Sequence, residues 1–506
     1  MAQDDKGGHL RAMADALLQP GFVGTQAPDW LLRRIDEGLG GAVLFSRNIV
    51  GLDQVAALTA QLRERNPDVI VAVDEEAGDV TRFEAEHGSS RPGNFALGAV
   101  DDPQLTEAVA RDLGRTLAAA GVTLDYAPDA DVNSNPRNPV IGVRSFGADP
   151  HLVARHTVAW QRGLQAGGVA ACIKHFPGHG DTSVDSHDDL PVVTATREQL
   201  EADALVPFRA AVAGGARAVM TGHLLVPALD PQDPGTVSRR IIEDLLRGEL
   251  GFDGLVITDG IEMGAMAKRY GIAGATVRAI VAGADAICVG GGHADEGTAV
   301  LLRDALVEAV ITGVLPEERL AEAAARVRAF AEWSAELRRL AAELPFAGDP
   351  LIGLTAARRA VRVTAGPATL PLAGPAHVVE LAPEMNQAVD KHTAWGIARP
   401  LQVLVPGTSS LRLTADAASE LGVAERILAA AAGRPLVVAV RDAQRHPWMV
   451  ALLDELIKRR EGVVVVEMGA APYEEPVTVV STFGGTRVSA QAAAELLAGR
   501  TVDELI

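Results

Sequence analysis

Eight short apolar runs recur through the first two thirds of the chain. They are GFVGT (21–25), GAVLF (41–45), VIVAVD (69–74), VTLDYAP (122–128), AACIKHF (170–176), ARAVMTGH (216–223), GLVITD (254–259) and ADAICVG (284–290). Helix-like segments such as DPQLTEAVARDLGRTLAAAG separate them. Runs without polar alternation read as strands buried on both faces, as in parallel sheets. Eight β-then-α units predict an α/β fold, an N-terminal (β/α)8 TIM-type barrel.

One barrel does not use up 506 residues. A long helical stretch, PEERLAEAAARVRAFAEWSAELRRLAAEL, runs from Pro316 to Leu344, and PFAGDPLIG then breaks it. The expected division is a barrel domain over 1–345 and a second domain over 346–506. Apolar runs resume beyond it: RAVRVTAG, HVVELA, LQVLVPG, PLVVAVRDA, GVVVVEMGA and PVTVVSTFGG. ADAASELGVAERILAAAAG and HPWMVALLDELIKRR are the clearest helices between them. This pattern predicts a smaller open α/β/α sandwich.

Charge and cysteine usage narrow the function classes. With 46 basic and 66 acidic residues the formal charge is −20. Such a surface disfavours non-specific binding to nucleic acid or anionic membrane, and neither is expected as a partner. The two cysteines, Cys172 and Cys288, both lie in apolar runs and form no disulfide framework. Buried thiols in a reducing compartment are the expectation. The opening MAQDDKGGHLRAMADALL does not read as a secretory signal, and no apolar run is long enough to span a membrane. A cytoplasmic location is expected.

Barrel active sites form at the C-terminal strand ends. Polar residues stand there repeatedly: Arg47 and Asn48, Asp74 and Glu75, Asp129 and Asp131, Lys174 and His175, His223, and Asp259. Singly, each reads first as a turn or cap residue. The loop KHFPGHGDTSVDSH, Lys174–His187, holds three histidines and two aspartates. A metal site is one reading, although the spacing fixes no geometry. Asp185 and His187, two apart, would share one side of an extended segment and could form an acid/base dyad. Asp185 capping a turn beside an exposed His187 is the plain alternative.

That loop resembles the signature of family 3 glycoside hydrolases, in the two-domain β-N-acetylglucosaminidase branch. AVLFSRN (42–48), DVNSNPRNPVIGVRSFGADP (131–150), VMTGHLLVPALD (219–230) and LRGELGFDGLVITDGIEM (246–263) match in order and spacing over about residues 20–335. STFGGTRVSAQAAAELLAG (481–499) resembles the family's second domain. The resemblance implies a retaining double displacement with Asp259 as nucleophile, His187 as general acid/base and Asp185 as its partner. It assigns Asp74, Arg144, Lys174 and His175 to sugar binding, with His223 and Met263 beside them. Two departures stand out. The family's Asp-x-Glu-Gly-Gly-Arg-Val-x-Arg reads here Asp74-Glu-Glu-Ala77-Gly-Asp79-Val-Thr-Arg82, and Gly260 follows Asp259 where a second Asp is common.

The implied substrate is a small GlcNAc-containing glycoside, such as a muropeptide or chitobiose, in bacterial carbohydrate metabolism. No metal or organic cofactor is required. Phosphate is a candidate acceptor, because an imidazole base does not repel an anion as a carboxylate does. The alternatives are a β-N-acetylglucosaminide phosphorylase, a β-glucosidase, a non-catalytic sugar-binding protein, or a Schiff-base aldolase using Lys174.

Overall fold

The computed structural model describes residues 2–187, 189–343, 348–471, 473 and 476–501. The chain forms two compact units. The first takes in Met1–Glu76, Pro103–Ile141 and Ala148–Gly348; the second takes in Ala77–Asp102, Gly142–Gly147 and Asp349–Ile506. The division expected at 345/346 lies outside the described residues, as does Leu344. The long helix expected before it is described over Glu317–Glu343.

In the first unit the described strands are β1 Leu18–Pro20, β2 Gly41–Leu44, β3 Ile70–Val73, β4 Leu124–Asp125, β5 Ala170–Phe176, β6 Ala218–Thr221, β7 Leu255–Thr258 and β8 Ile287–Val289. Parallel ladders join β2 through β7 in order, and β1 pairs with β8. Bridges Gly21–Val43 and Ile257–Ala286 link β1 to β2 and β7 to β8, closing the ring. This is the expected (β/α)8 barrel. The first strand lies earlier than 21–25. Past Gly21 the chain leaves the barrel, and the Asn48 amide nitrogen donates to the Phe22 and Gly24 carbonyls at 3.0 and 2.8 Å. A side-chain clip thus replaces the ladder there.

Alternation along the strands decides what faces inward. Ile70 and Ala72, Ala170 and Cys172, and Leu255 and Ile257 belong to one buried cluster that fills the barrel. Val327, Phe330 and Ala331 of helix Glu317–Glu343 complete that cluster. The helix packs beside Gly40 and Gly168, just ahead of β2 and β5, and so plugs the N-terminal end. Two residues beyond the inward apolar positions, the same register reaches Asp74, Lys174 and Asp259. Both cysteines are buried and unbridged, and burial pushes both thiols up.

The second unit contains β9 Arg362–Thr364, β10 His377–Leu381, β11 Ser409–Leu413, β12 Leu436–Val440, β13 Val464–Glu467 and β14 Thr478–Ser481. Their order is β11-β10-β12-β13-β14-β9, parallel except for β9. Val378, Val437, Ala439 and Val464 enter one core, while Val379, Val438, Val440 and Val465 enter another. Both sheet faces are therefore covered, as a sandwich requires. LQVLVPG is not a strand. Its residues end the helix Ala398–Leu404, where Leu401 and Leu404 are buried and Val403 is 58% exposed. That three-residue spacing is helical. The strand is the polar edge segment Ser409–Leu413. ADAASELGVAERILAAAAG forms two helices, Ala415–Ala418 and Val423–Ala430, separated where Gly422 adopts φ 77°.

Candidate active site

Lys174, near the end of β5, is 2% exposed. Its Nζ lies 2.8 Å from Asp74 Oδ1 and 2.6 Å from Glu76 Oε1. The Glu76 side chain is 3% exposed and that of Asp74 is 25% exposed. Glu76 therefore anchors the ammonium on its buried side, and Asp74 presents a carboxylate that a ligand can reach. Glu75 donates its main-chain N–H to Asp125 Oδ1 at 2.9 Å. Burial pushes Asp125 well above the usual carboxylate range.

His175 turns its Nδ1 to Asp131 Oδ2 at 2.7 Å. Asp131 also accepts the main-chain N–H of His179 at 2.6 Å. Burial alone would raise the Asp131 carboxyl, but the charge and hydrogen bond of His175, with His179 behind it, hold it below its ordinary value. Asp129, Asp131 and His175 offer ligand atoms within 4.8 Å of one another. They form a group of suitable donors for a metal ion, and Asp131 and His175 already bond each other.

Asp259 follows β7, with its N–H donating to the Thr221 carbonyl at 3.1 Å. Its Oδ1 accepts the Gly260 N–H at 2.8 Å. Burial opposes ionisation here. The charges of His223, His175 and His187, with the Gly260 amide, outweigh it and hold the carboxyl well below its usual range. His223 places Nε2 at 2.9 Å from the Gly260 carbonyl and Nδ1 at 2.7 Å from Thr236 Oγ1. A carbonyl only accepts, so Nε2 carries the proton. Burial lowers the His223 pKa, and the Asp259 charge works against that shift. His223 thus braces the turn after Asp259. Met263 donates its N–H to the same Gly260 carbonyl at 3.0 Å and stands at the start of helix Gly264–Ala282.

Asp185 and His187 make the expected pair. His187 Nδ1 lies 2.7 Å from Asp185 Oδ1, which also accepts the His187 N–H at 2.9 Å. Burial would raise Asp185, but its hydrogen bond to His187 and that ring's charge lower it. With Nδ1 turned to the carboxylate, Nε2 is the atom placed to exchange a proton. The loop leading to the pair is seated on 132–138. Asn138 Nδ2 donates to the His179 and Gly180 carbonyls at 2.9 and 3.0 Å, and Asn135 Nδ2 to the Thr182 carbonyl at 3.1 Å. A Cβ at Gly180 would sit 1.6 Å from the Val132 carbonyl oxygen, so only glycine permits this approach.

The sequence pattern did not single out Glu76, His179, Thr182 or Asn138. Glu76 had a signal: it lies two residues past Asp74, and so on the same side of an extended chain. Arg47 and Asn48 prove to be clips. Arg47 Nε donates to the Phe22 carbonyl at 2.9 Å. Arg144 and the departures Ala77 and Asp79 belong to the second unit. The Arg144 carbonyl accepts Asn94 Nδ2 at 2.6 Å. Ala77 adopts φ 57°, where glycine is unstrained and alanine is not. Asp79 is buried, ion-paired to Arg441, and accepts the Gly485 N–H at 2.8 Å. The reversed charge at position 79 therefore has a buried partner.

Among the described residues, no helix is long and apolar enough to cross a membrane. Residues 5–330 match the family model described as the glycosyl hydrolase family 3 N-terminal domain. A β-N-acetylglucosaminidase of that family from Paenibacillus sp. superposes with TM-score 0.85 at 32% identity, covering 97% of each chain. Beta-hexosaminidase A of Pseudoalteromonas piscicida is 32% identical over 76% of this chain and 68% of its own. The beta-hexosaminidase of Xylella fastidiosa is 39% identical over 54% of this chain and 83% of its own. The chain belongs to glycoside hydrolase family 3 and is a glycoside hydrolase.

Proposed function

We propose that this enzyme is a retaining, exo-acting β-N-acetylglucosaminidase whose catalytic domain is the barrel, residues 1–345, with 346–506 as its C-terminal domain. The observation that carries the reading is a buried Asp259 held ionised in the same unit as a preformed Asp185–His187 pair. An ionised carboxylate can attack the anomeric carbon. As the C1–O bond breaks, His187 Nε2 delivers its proton to the leaving oxygen, while Asp185 keeps the ring oriented through Nδ1. A covalent glycosyl-enzyme results. Water then attacks C1 as His187 takes back a proton, and Asp259 leaves as carboxylate. The general scheme uses two carboxylates; here an imidazole takes the acid/base role.

Asp74, steadied by Lys174, is suited to accept sugar hydroxyls. His175 is held by Asp131 close enough to act on Asp259 through its charge. His223 and Met263 shape the turn beneath the sugar, while the sugar-binding role of Arg144 rests on the family resemblance alone. The names of the relatives, beta-hexosaminidase and β-N-acetylglucosaminidase, favour a GlcNAc-type substrate. Two unbridged, buried cysteines favour a cytoplasmic setting.

Initial rates on aryl β-GlcNAc and aryl β-glucoside test this reading. Asp259→Asn should lower turnover of the GlcNAc glycoside by at least about a thousandfold. Full activity in that variant would remove Asp259 as nucleophile. A faster aryl glucoside would redirect the specificity to a β-glucosidase. The imidazole base also favours a second reading, phosphorolysis, for which sugar 1-phosphate formed in phosphate buffer is the diagnostic product.

A further inference from the structure

Ser186 stands between Asp185 and His187, and two elements hold it. On one side, His179 Nε2 lies 3.1 Å from Ser186 Oγ, and its Nδ1 lies 2.8 Å from Thr182 Oγ1. The Thr182 hydroxyl donates to the His179 carbonyl at 3.0 Å, so its proton is already committed. Nδ1 is then the donor to Thr182, and Nε2 accepts the Ser186 hydroxyl. The His179 main-chain N–H is itself fixed on Asp131. On the other side, the first turn of helix Gly264–Ala282 reaches the same segment. Gly264 N–H donates to the His187 carbonyl at 3.2 Å, and Ala265 N–H to the Ser186 carbonyl at 3.3 Å. That helix begins five residues after Asp259.

The exposure pattern agrees with a loop pinned along one side. His179, Thr182 and Ser186 are buried, while Asp181, Ser183 and Val184 are exposed. A run rich in glycine and exposed residues would wander without such pins. We propose that His179 is a positioning residue: through Ser186 it fixes the Asp185–His187 pair relative to Asp259 without touching the sugar. This inference rests on the acid/base role given to His187.

Leaving-group dependence tests it. A 2,4-dinitrophenyl β-GlcNAc departs without help from a proton donor, whereas phenyl β-GlcNAc needs one. In kcat/KM, His187→Ala should lose about a hundredfold or more on the phenyl substrate and little on the dinitrophenyl one. His179→Ala and Ser186→Ala should repeat that selectivity more weakly, about ten- to a hundredfold on the phenyl substrate. His179→Gln, which keeps a hydrogen-bonding group, should recover part of the loss. If His179→Ala and Ser186→Ala slow both substrates equally, or neither, while His187→Ala stays selective, the positioning role is wrong and the dyad stands. If His187→Ala shows no selectivity, the acid/base reading falls and takes this inference with it.

Discussion

A carboxyl as buried as Asp259 would ordinarily keep its proton. Here the surrounding imidazoles and the Gly260 amide reverse that outcome, and the proposed nucleophilic role depends on that reversal. Glu467, at the end of β13, shows the opposite balance. Burial first, and the Asp442 charge second, push it up to about 8 against an ordinary 4.5, although the Asp442, Ala443 and Gly469 amides all donate to it. The raised value means that, between those limits, the folded chain holds a proton the unfolded chain has released. Stability from this group is full below about 4.5, falls as pH rises, and levels off above about 8. Glu467→Gln should flatten the fall in melting temperature between about pH 5 and 8. An unchanged slope in thermal melts would place that pH dependence elsewhere. At this scale the sequence was partly legible. Asp185 and His187 carry their relation in a two-residue spacing. The partners of Glu76 and Asp79 are not marked by spacing, because Lys174 and Arg441 reach them only through folding across 98 and 362 positions.

At the scale of elements, the barrel was legible because its strands are continuously apolar and its polar residues sit one step beyond them. What escaped were pieces whose partners lie outside the element. β11 has Ser410 and Arg412 exposed on an open sheet edge, so no apolar run marks it. LQVLVPG is apolar enough for a strand, but its burial follows helical spacing. Glycines in the loop 177–187 suggest mobility from sequence alone, yet Gly180 serves close packing against Val132. Gly180→Ala should therefore lift the loop, destabilise the protein by about 1–3 kcal/mol and lower kcat/KM on phenyl β-GlcNAc. Wild-type melting and activity in that variant would show that the loop does not need this contact.

At the scale of the whole chain, the second unit is assembled from three separate segments. That discontinuity was not legible, since nothing in the composition of 77–102 sets it apart from the barrel. Its consequence is concrete: Arg441 depends on a carboxylate 362 positions earlier in the sequence. Arg441→Ala leaves Asp79 as a buried unpaired charge and should cost about 3–5 kcal/mol. Asp79→Arg should be as damaging alone and be partly repaired by Arg441→Asp in the double variant, as read from chemical denaturation. Additive losses would mean that the pair is not coupled.

A covalent intermediate at Asp259 is the centre of the proposed mechanism. The direct measurement is intact-mass analysis and peptide mapping of wild type and His187→Ala quenched during turnover of 2,4-dinitrophenyl β-GlcNAc. Slowed release in His187→Ala should accumulate one N-acetylglucosaminyl group on the peptide containing Asp259. A label on any other residue, or steady turnover with no label and release of the inverted anomer, would contradict it.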